Sequence, residues 1–264
     1  MFDHNYTVNT DNWLQHFYPK IRSKLNISSN SDYEEMVYWN QNGIKQNKLS
    51  PMLNLKSQKS IIFGSGPSLV NHENNLQKII NSKLFIISCD GATRWLLQNN
   101  RSPNLVISDL DGLDSKIIEY ILSNNIMMHV LIHGDNRDKV SNFLDIKQDF
   151  NDSTNIWFFT QGKPIENWSN SIGFTDGDRA LIFALLNKLN PLLLGFDLNS
   201  TLIGEYSKPY FNSNQSMTEH KQKKMDIAKN ILNWCSFHYR FYTLDNRYSP
   251  GLEIDFPDYM ELRL

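Results

Sequence analysis

From Ser60 onward the chain repeats one unit: a short unbroken apolar run, a turn rich in glycine or acid, then a segment of helix length. The runs are Ser60–Phe63, Leu84–Ser88, Leu105–Ser108, Met127–Ile132, Ile156–Phe159 and Pro191–Leu194. None alternates apolar with polar residues, so both faces of each strand must be buried, as in a parallel sheet covered by helices on both sides. Helices are expected at Leu69–Asn81, Ala92–Asn99, Ser115–Asn124, Val140–Phe150 and Asp178–Leu189. The pattern predicts an α/β fold, a Rossmann-like mostly parallel sheet with flanking helices.

Both ends of the chain read differently. Trp13, Phe17, Tyr18, Tyr33, Tyr38 and Trp39 recur about one helical turn apart, and Ser31-Asp32 ahead of Tyr33-Glu34-Glu35 marks a helix start, so residues 1–56 form a helical N-terminal region. Residues 57–210 form the α/β domain. In 211–264 a long helix, about Thr218–Tyr239, is followed by Phe241–Leu244 as an edge strand. Covering the sheet edge, packing on the domain and forming a homodimer interface suit these end regions equally.

Composition narrows the partners. With 264 residues and a formal net charge of -2, the chain lacks the basic footprint of a nucleic-acid-binding protein. Hydrophobic residues (40%) suffice for a large core, yet no apolar run reaches the roughly 18 residues of a membrane span. Met1-Phe2-Asp3-His4-Asn5 is no signal peptide, so a cytoplasmic protein is expected. Cys89 and Cys235 lie far apart, which argues against a disulfide framework or zinc site.

The chemistry sits in three acidic clusters: Ser108-Asp109-Leu110-Asp111-Gly112, His133-Gly134-Asp135-Asn136 and Thr175-Asp176-Gly177-Asp178. Carboxylates gathered this way repel one another unless a cation joins them, which points to Mg²⁺ and a phosphorylated ligand. Two clusters follow strands and the third opens a helix, where open parallel sheets place their ligands. Asp109 and Asp111 share a face if the backbone is still extended there. Helix capping explains one such Asp easily and a pair less well. His133, Asp135 and Asn136, with Arg137 and Lys139 behind them, suit a bridge between metal water and phosphate oxygens. Thr175 or Asp176 can cap the helix that follows, while Arg179 either holds a phosphate or neutralises Asp176 and Asp178. Gly64-Ser65-Gly66-Pro67-Ser68 follows the first strand; it suits an anion at a helix N-terminus and, equally, a plain tight turn.

In this order, Gly64–Leu69, Asp90-Gly91-Ala92, Pro103 to Gly112, His133–Asn136 and Gly173–Arg179, then Gly195-Phe196-Asp197 and Ile203–Ser207, the chain resembles the archaeal 6-hydroxymethyl-7,8-dihydropterin diphosphokinase (MptE-like) family. The resemblance runs from about Ser60 to Ser207. It implies ATP- and Mg²⁺-dependent diphosphoryl transfer to the hydroxymethyl oxygen of the pterin, with release of AMP. It further implies metal binding by Asp109 and Asp111 with Asp135 or Asp176, assistance from His133 and Arg179, and nucleotide contacts from Gly64, Ser65, Gly66, Pro67, Ser68, Asp90, Gly91, Asn136, Thr175, Asp176 and Asp178. Asn136, Asp176, Asp197 and Phe174 suit the flat, polar-edged pterin. Thiamin diphosphokinase is similar to a subset of this pattern but adds a C-terminal β-sandwich, for which the residues after Tyr206 hold too few strands. A non-catalytic nucleotide- or sugar-nucleotide-binding protein is the alternative from another class.

Overall fold

The computed structural model describes residues 3–28, 30–44, 58–74, 76, 84–150, 155–244, 247 and 249–263. The main sheet has nine strands, every neighbouring pair parallel. Five long strands, β1 (Lys59–Phe63), β2 (Phe85–Cys89), β3 (Leu105–Ser108), β4 (Met127–Ile132) and β5 (Ile156–Thr160), lie side by side in chain order, with short β6 (Ser169–Asn170) beyond them. β7 (Asn190–Leu194) returns to the other side of β1, and the sheet order reverses there. Two further antiparallel segments, β8 (Leu202–Ile203) and β9 (Gln215–Ser216), stand apart, and β10 (Tyr242–Thr243) and β11 (Leu252–Glu253) extend the main sheet past β7. The edge strand is thus β11 rather than β10, because Leu252–Glu253 pairs outside it.

The continuous apolar runs are explained by burial on both faces. Along β2, Phe85, Ile87 and Cys89 face one layer of the core, while Ile86 faces another. The first layer is closed by α6 (Asp176–Leu186), α7 (Glu219–His238) and the N-terminal aromatics Trp13 and Phe17. On the opposite face lie α3 (Ala92–Gln98), α4 (Ser115–Ser123) and α5 (Arg137–Lys147). In α4 the residues Ile117, Ile118, Ile121 and Leu122 form one apolar stripe, and Asp114 caps it by accepting the Ile117 amide at 3.0 Å.

The N-terminal helices α1 (Tyr18–Leu25) and α2 (Ser31–Gln41) and the long C-terminal helix appear as the sequence predicts, α2 beginning at Ser31. Trp13 reaches across to donate to the Gln161 carbonyl at 2.9 Å, and Trp234 of α7 donates to the Tyr6 carbonyl at 2.6 Å. Of the helix expected at Leu69–Asn81, Pro67–His72 forms a 3-10 turn and most of the rest falls outside the described residues. No helix among the described residues is long and apolar enough to cross a membrane.

Candidate active site

The loops after β1, β2, β3 and β7, the start of α6, the segment 202–208 and the first turns of α7 enclose one cleft at the C-terminal edge of the sheet. It lies at the point of reversal between β1 and β7, where parallel strands leave a crevice. Its floor requires glycine. The Gly66 amide donates to Gly195 O at 2.9 Å, and a Cβ on Gly66 would lie 2.6 Å from that oxygen. Gly195 itself has φ +70°, a conformation that disfavours any side chain. The loop's amides are also engaged: Gly64 donates to Leu194 O and Ser68 to Asp197 Oδ2, each at 2.8 Å. Gly64-Ser65-Gly66-Pro67-Ser68 is therefore clamped to the β7 loop, and few of its N–H groups remain for an anion.

Among the described residues, three carboxylates that could share a cation converge on the cleft: Asp90, Asp109 and Asp176, with ligand atoms all within 4.8 Å of one another. Each is delivered by a different device. Asp90 follows β2 with φ +48°; it accepts the Ser108 hydroxyl at 2.6 Å. Asp109 follows β3, and His133 Nε2 stands 3.8 Å from its Oδ2. Asp135 N donates to His133 Nδ1 at 3.3 Å, which leaves the proton of a neutral ring on Nε2, facing Asp109. Asp176 opens α6, where Arg179 Nη1 donates to its Oδ1 at 3.1 Å.

The charges are unequal. Burial raises the Asp90 carboxyl to about 6, with the neighbouring Asp109 charge adding to it. Burial also raises Asp176 well above the usual carboxylate range, helped by Asp109 and Asp90. For Asp109 burial acts upward too, but the nearby His133, Lys208 and Arg179 outweigh it and hold the group below its ordinary value. Three crowded oxygen ligands, two of which resist ionising without a counter-charge, suit a hard divalent cation such as Mg²⁺.

The other predicted residues take different places. Asp111 lines the same cleft but pairs with Lys139 and, at 2.7 Å, with Lys208. Asp109 and Asp111 do not share a strand face, because β3 ends at Ser108 and Leu110 turns the chain with φ +71°. Asp135 is exposed and does not line the cleft. Asn136 bonds to backbone, donating to Leu131 O at 2.7 Å and Asp109 O at 3.1 Å and accepting the His133 amide at 3.1 Å. Asp178 accepts the Phe174 amide at 2.5 Å, the Thr175 amide at 2.9 Å and the Thr175 hydroxyl at 2.7 Å, which makes it the brace of the helix start. Arg179 also donates to Gln161 Oε1 at 2.8 Å and to Phe174 O at 2.7 Å. Thr175 and Phe174 line the cleft, whereas Gly91 does not line it and packs against the Tyr206 backbone.

Sequence reading missed the cations. Lys208, Lys221 and Lys224 line the same cleft, Lys208 paired with Asp111, and burial followed by repulsion from Lys224 and Lys208 lowers the Lys221 pKa. Their one sequence signal is that Lys221 and Lys224 lie three apart at the start of a helix and so share a face.

A family model described as 6-hydroxymethylpterin diphosphokinase MptE-like matches residues 36–202. Among curated proteins, the chain is 32% identical over 226 residues to a 6-hydroxymethyl-7,8-dihydropterin pyrophosphokinase of Methanocaldococcus jannaschii, covering 83% of this chain and 92% of that protein. It is 31% identical to the enzyme of that name from Pyrococcus furiosus, over 83% of this chain and 90% of that one. The enzyme of that name from Methanothermobacter thermautotrophicus is 32% identical over 69% of this chain and 75% of its own length. Among solved structures, MAf glycosyltransferase from Magnetospirillum magneticum AMB-1 aligns with TM-score 0.46 and 17% identity, over 92% of this chain and 39% of that one. With the family model spanning residues 36–202 and relatives above 30% identity along most of its length, the chain belongs to the 6-hydroxymethylpterin diphosphokinase MptE-like family.

Proposed function

We propose that this protein uses Mg²⁺ and ATP to transfer a diphosphoryl group to the hydroxymethyl oxygen of 6-hydroxymethyl-7,8-dihydropterin, releasing AMP. The observation that carries the reading is the convergence of Asp90, Asp109 and Asp176 within 4.8 Å in a cleft that Lys208, Lys221 and Lys224 also line. The named activity of the archaeal relatives supplies the acceptor.

Asp90, Asp109 and Asp176 would hold Mg²⁺, which when bound supplies Lewis-acid stabilisation of charge on the phosphate oxygens. Lys208, Lys221 and Lys224 act as point charges for the triphosphate and for the charge that grows on the oxygen leaving with AMP. His133 stands behind Asp109 and orients it, and Arg179 does the same for Asp176. Phe174, Leu198 and Met225 give the cleft an apolar wall on which a flat pterin ring can lie, with the hydroxymethyl group turned toward the acidic cluster.

The test is a product assay with Mg-ATP and both hydroxymethyldihydropterin and thiamin in one mixture, read by mass. AMP together with diphosphorylated pterin is the expected result. ADP as the only nucleotide product, thiamin diphosphate in place of the pterin product, or ATP binding with no turnover would overturn the reading.

A further inference from the structure

Asp32 lies in the N-terminal helix α2, ahead of the residues matched by the family model, and is only 5% exposed. Its Oδ1 accepts the Gly134 amide at 3.1 Å, and its Oδ2 accepts Gln161 Nε2 at 3.1 Å as well as the Tyr18 hydroxyl. From these contacts two paths reach the acidic cluster. Gly134 adjoins His133, which faces Asp109 at 3.8 Å. Gln161 Oε1 accepts Arg179 Nη2 at 2.8 Å, and Arg179 Nη1 donates to Asp176 Oδ1 at 3.1 Å.

The second path has a fixed polarity. A guanidinium only donates and a carboxylate only accepts, so Gln161 can satisfy both neighbours in one amide orientation alone. If Asp32 became a donor, Gln161 would either face it donor to donor or flip and present its NH₂ to Arg179. Either outcome releases the guanidinium that holds Asp176.

We propose that Asp32 is a positioning residue for the cation centre, setting Gln161 and Arg179 behind Asp176 and the His133 loop behind Asp109. This rests on the reading of Asp90, Asp109 and Asp176 as that centre. It gives the N-terminal helices a role in the reaction rather than in packing alone. Partners behind metal ligands commonly change metal affinity by about 10- to 100-fold.

The test is a double-mutant cycle read by Mn²⁺ binding without nucleotide, following free Mn²⁺ by electron paramagnetic resonance, with thermal unfolding of every variant in parallel. In Asp32→Asn the NH₂ must meet the Gly134 amide or Gln161 Nε2 donor to donor, so one of the two paths breaks, and in Gln161→Glu two carboxylates face each other; each variant is expected to weaken Mn²⁺ binding about tenfold. The double variant restores it, because the carboxylate introduced by Gln161→Glu accepts both from Arg179 and from the amide introduced by Asp32→Asn. Its affinity should return to within about threefold of the wild type. If Asp32→Asn does not fold, Gln161→Glu against the double variant decides. Singles that lose thermal stability but bind Mn²⁺ like the wild type, or a folded double variant no better than Gln161→Glu, overturn the inference. Asp109→Asn is the separate control: wild-type Mn²⁺ binding that survives it would bring down the reading of the acidic cluster, and this inference with it.

Discussion

Ser108 Oγ donates to Asp90 Oδ1 at 2.6 Å, and the same oxygen accepts the Leu110 amide at 2.7 Å. One fully buried hydroxyl thus joins the turn after β2 to the turn after β3 and holds down the pKa of the carboxylate it touches. Ser108→Ala leaves Leu110 N–H and Asp90 each short of a partner, at a cost of about 1–3 kcal/mol in urea unfolding. It should also push Asp90 further up and weaken Mg²⁺ binding about tenfold, measured by titration of the folded variant.

The pH dependence of Asp90 has a definite sign. Its folded pKa of about 6 lies above the ordinary 3.8, so the fold favours the protonated form. That contribution is fully present below the unfolded value and is lost as pH rises through the folded one. Buried His129 and His72, lowered to about 3 and about 4 respectively, act in the opposite direction over part of this range. The clean readout is therefore the wild type against Asp90→Asn without divalent cation. The variant should gain on the wild type by about 2 kcal/mol as pH rises from about 4 to about 7. Added Mg²⁺ should stabilise the wild type near neutral pH, where it favours ionised ligands, and leave Asp90→Asn nearly unchanged.

The sheet was legible because unbroken runs such as Met127–Ile132 have one economical home, buried on both faces. The acidic clusters were legible as a candidate site because two of them follow strands and the third opens a helix, although Asp135 of the second does not line the cleft. Which carboxylates meet was not legible. The period of a strand put Asp109 with Asp111, but Leu110 turns with φ +71°, and Asp109 instead meets Asp90 and Asp176 from turns distant in sequence. Lys221 was hidden differently: within Lys221-Gln222-Lys223-Lys224 it reads as a solvated face until α7 is seen to dock over the cleft. Asp32 reads locally as part of a helix start, and its bonds to Gly134 and Gln161 cross about a hundred residues of sequence or more.

Lys221 separates function from stability. Burial and the nearby Lys224 and Lys208 make its charge unfavourable, so Lys221→Met, which keeps the apolar stem, should leave the stability of the ligand-free protein equal or higher. A cation aimed at phosphate charge is worth about 10²-fold in turnover when preorganised. The variant should therefore melt no lower than the wild type yet lose about that factor in kcat/KM for ATP. Unchanged kcat/KM would remove Lys221 from the phosphate site.

Asp176 and Asp178 are two residues apart in sequence and should divide structure from chemistry. Asp178 satisfies the Phe174 and Thr175 amides and the Thr175 hydroxyl at the mouth of α6, and burial raises its pKa despite these bonds. Asp178→Ala strands those donors and should cost about 2–3 kcal/mol in denaturant unfolding. Asp176 has burial and two like charges against it, with Arg179 as its hydrogen-bonded partner. Asp176→Asn keeps an acceptor for Arg179 and removes the repulsion, so its unfolding midpoint should hold or rise while turnover falls by about 10²-fold or more. If instead Asp176→Asn lowers stability as Asp178→Ala does and spares turnover, the acidic centre is structural.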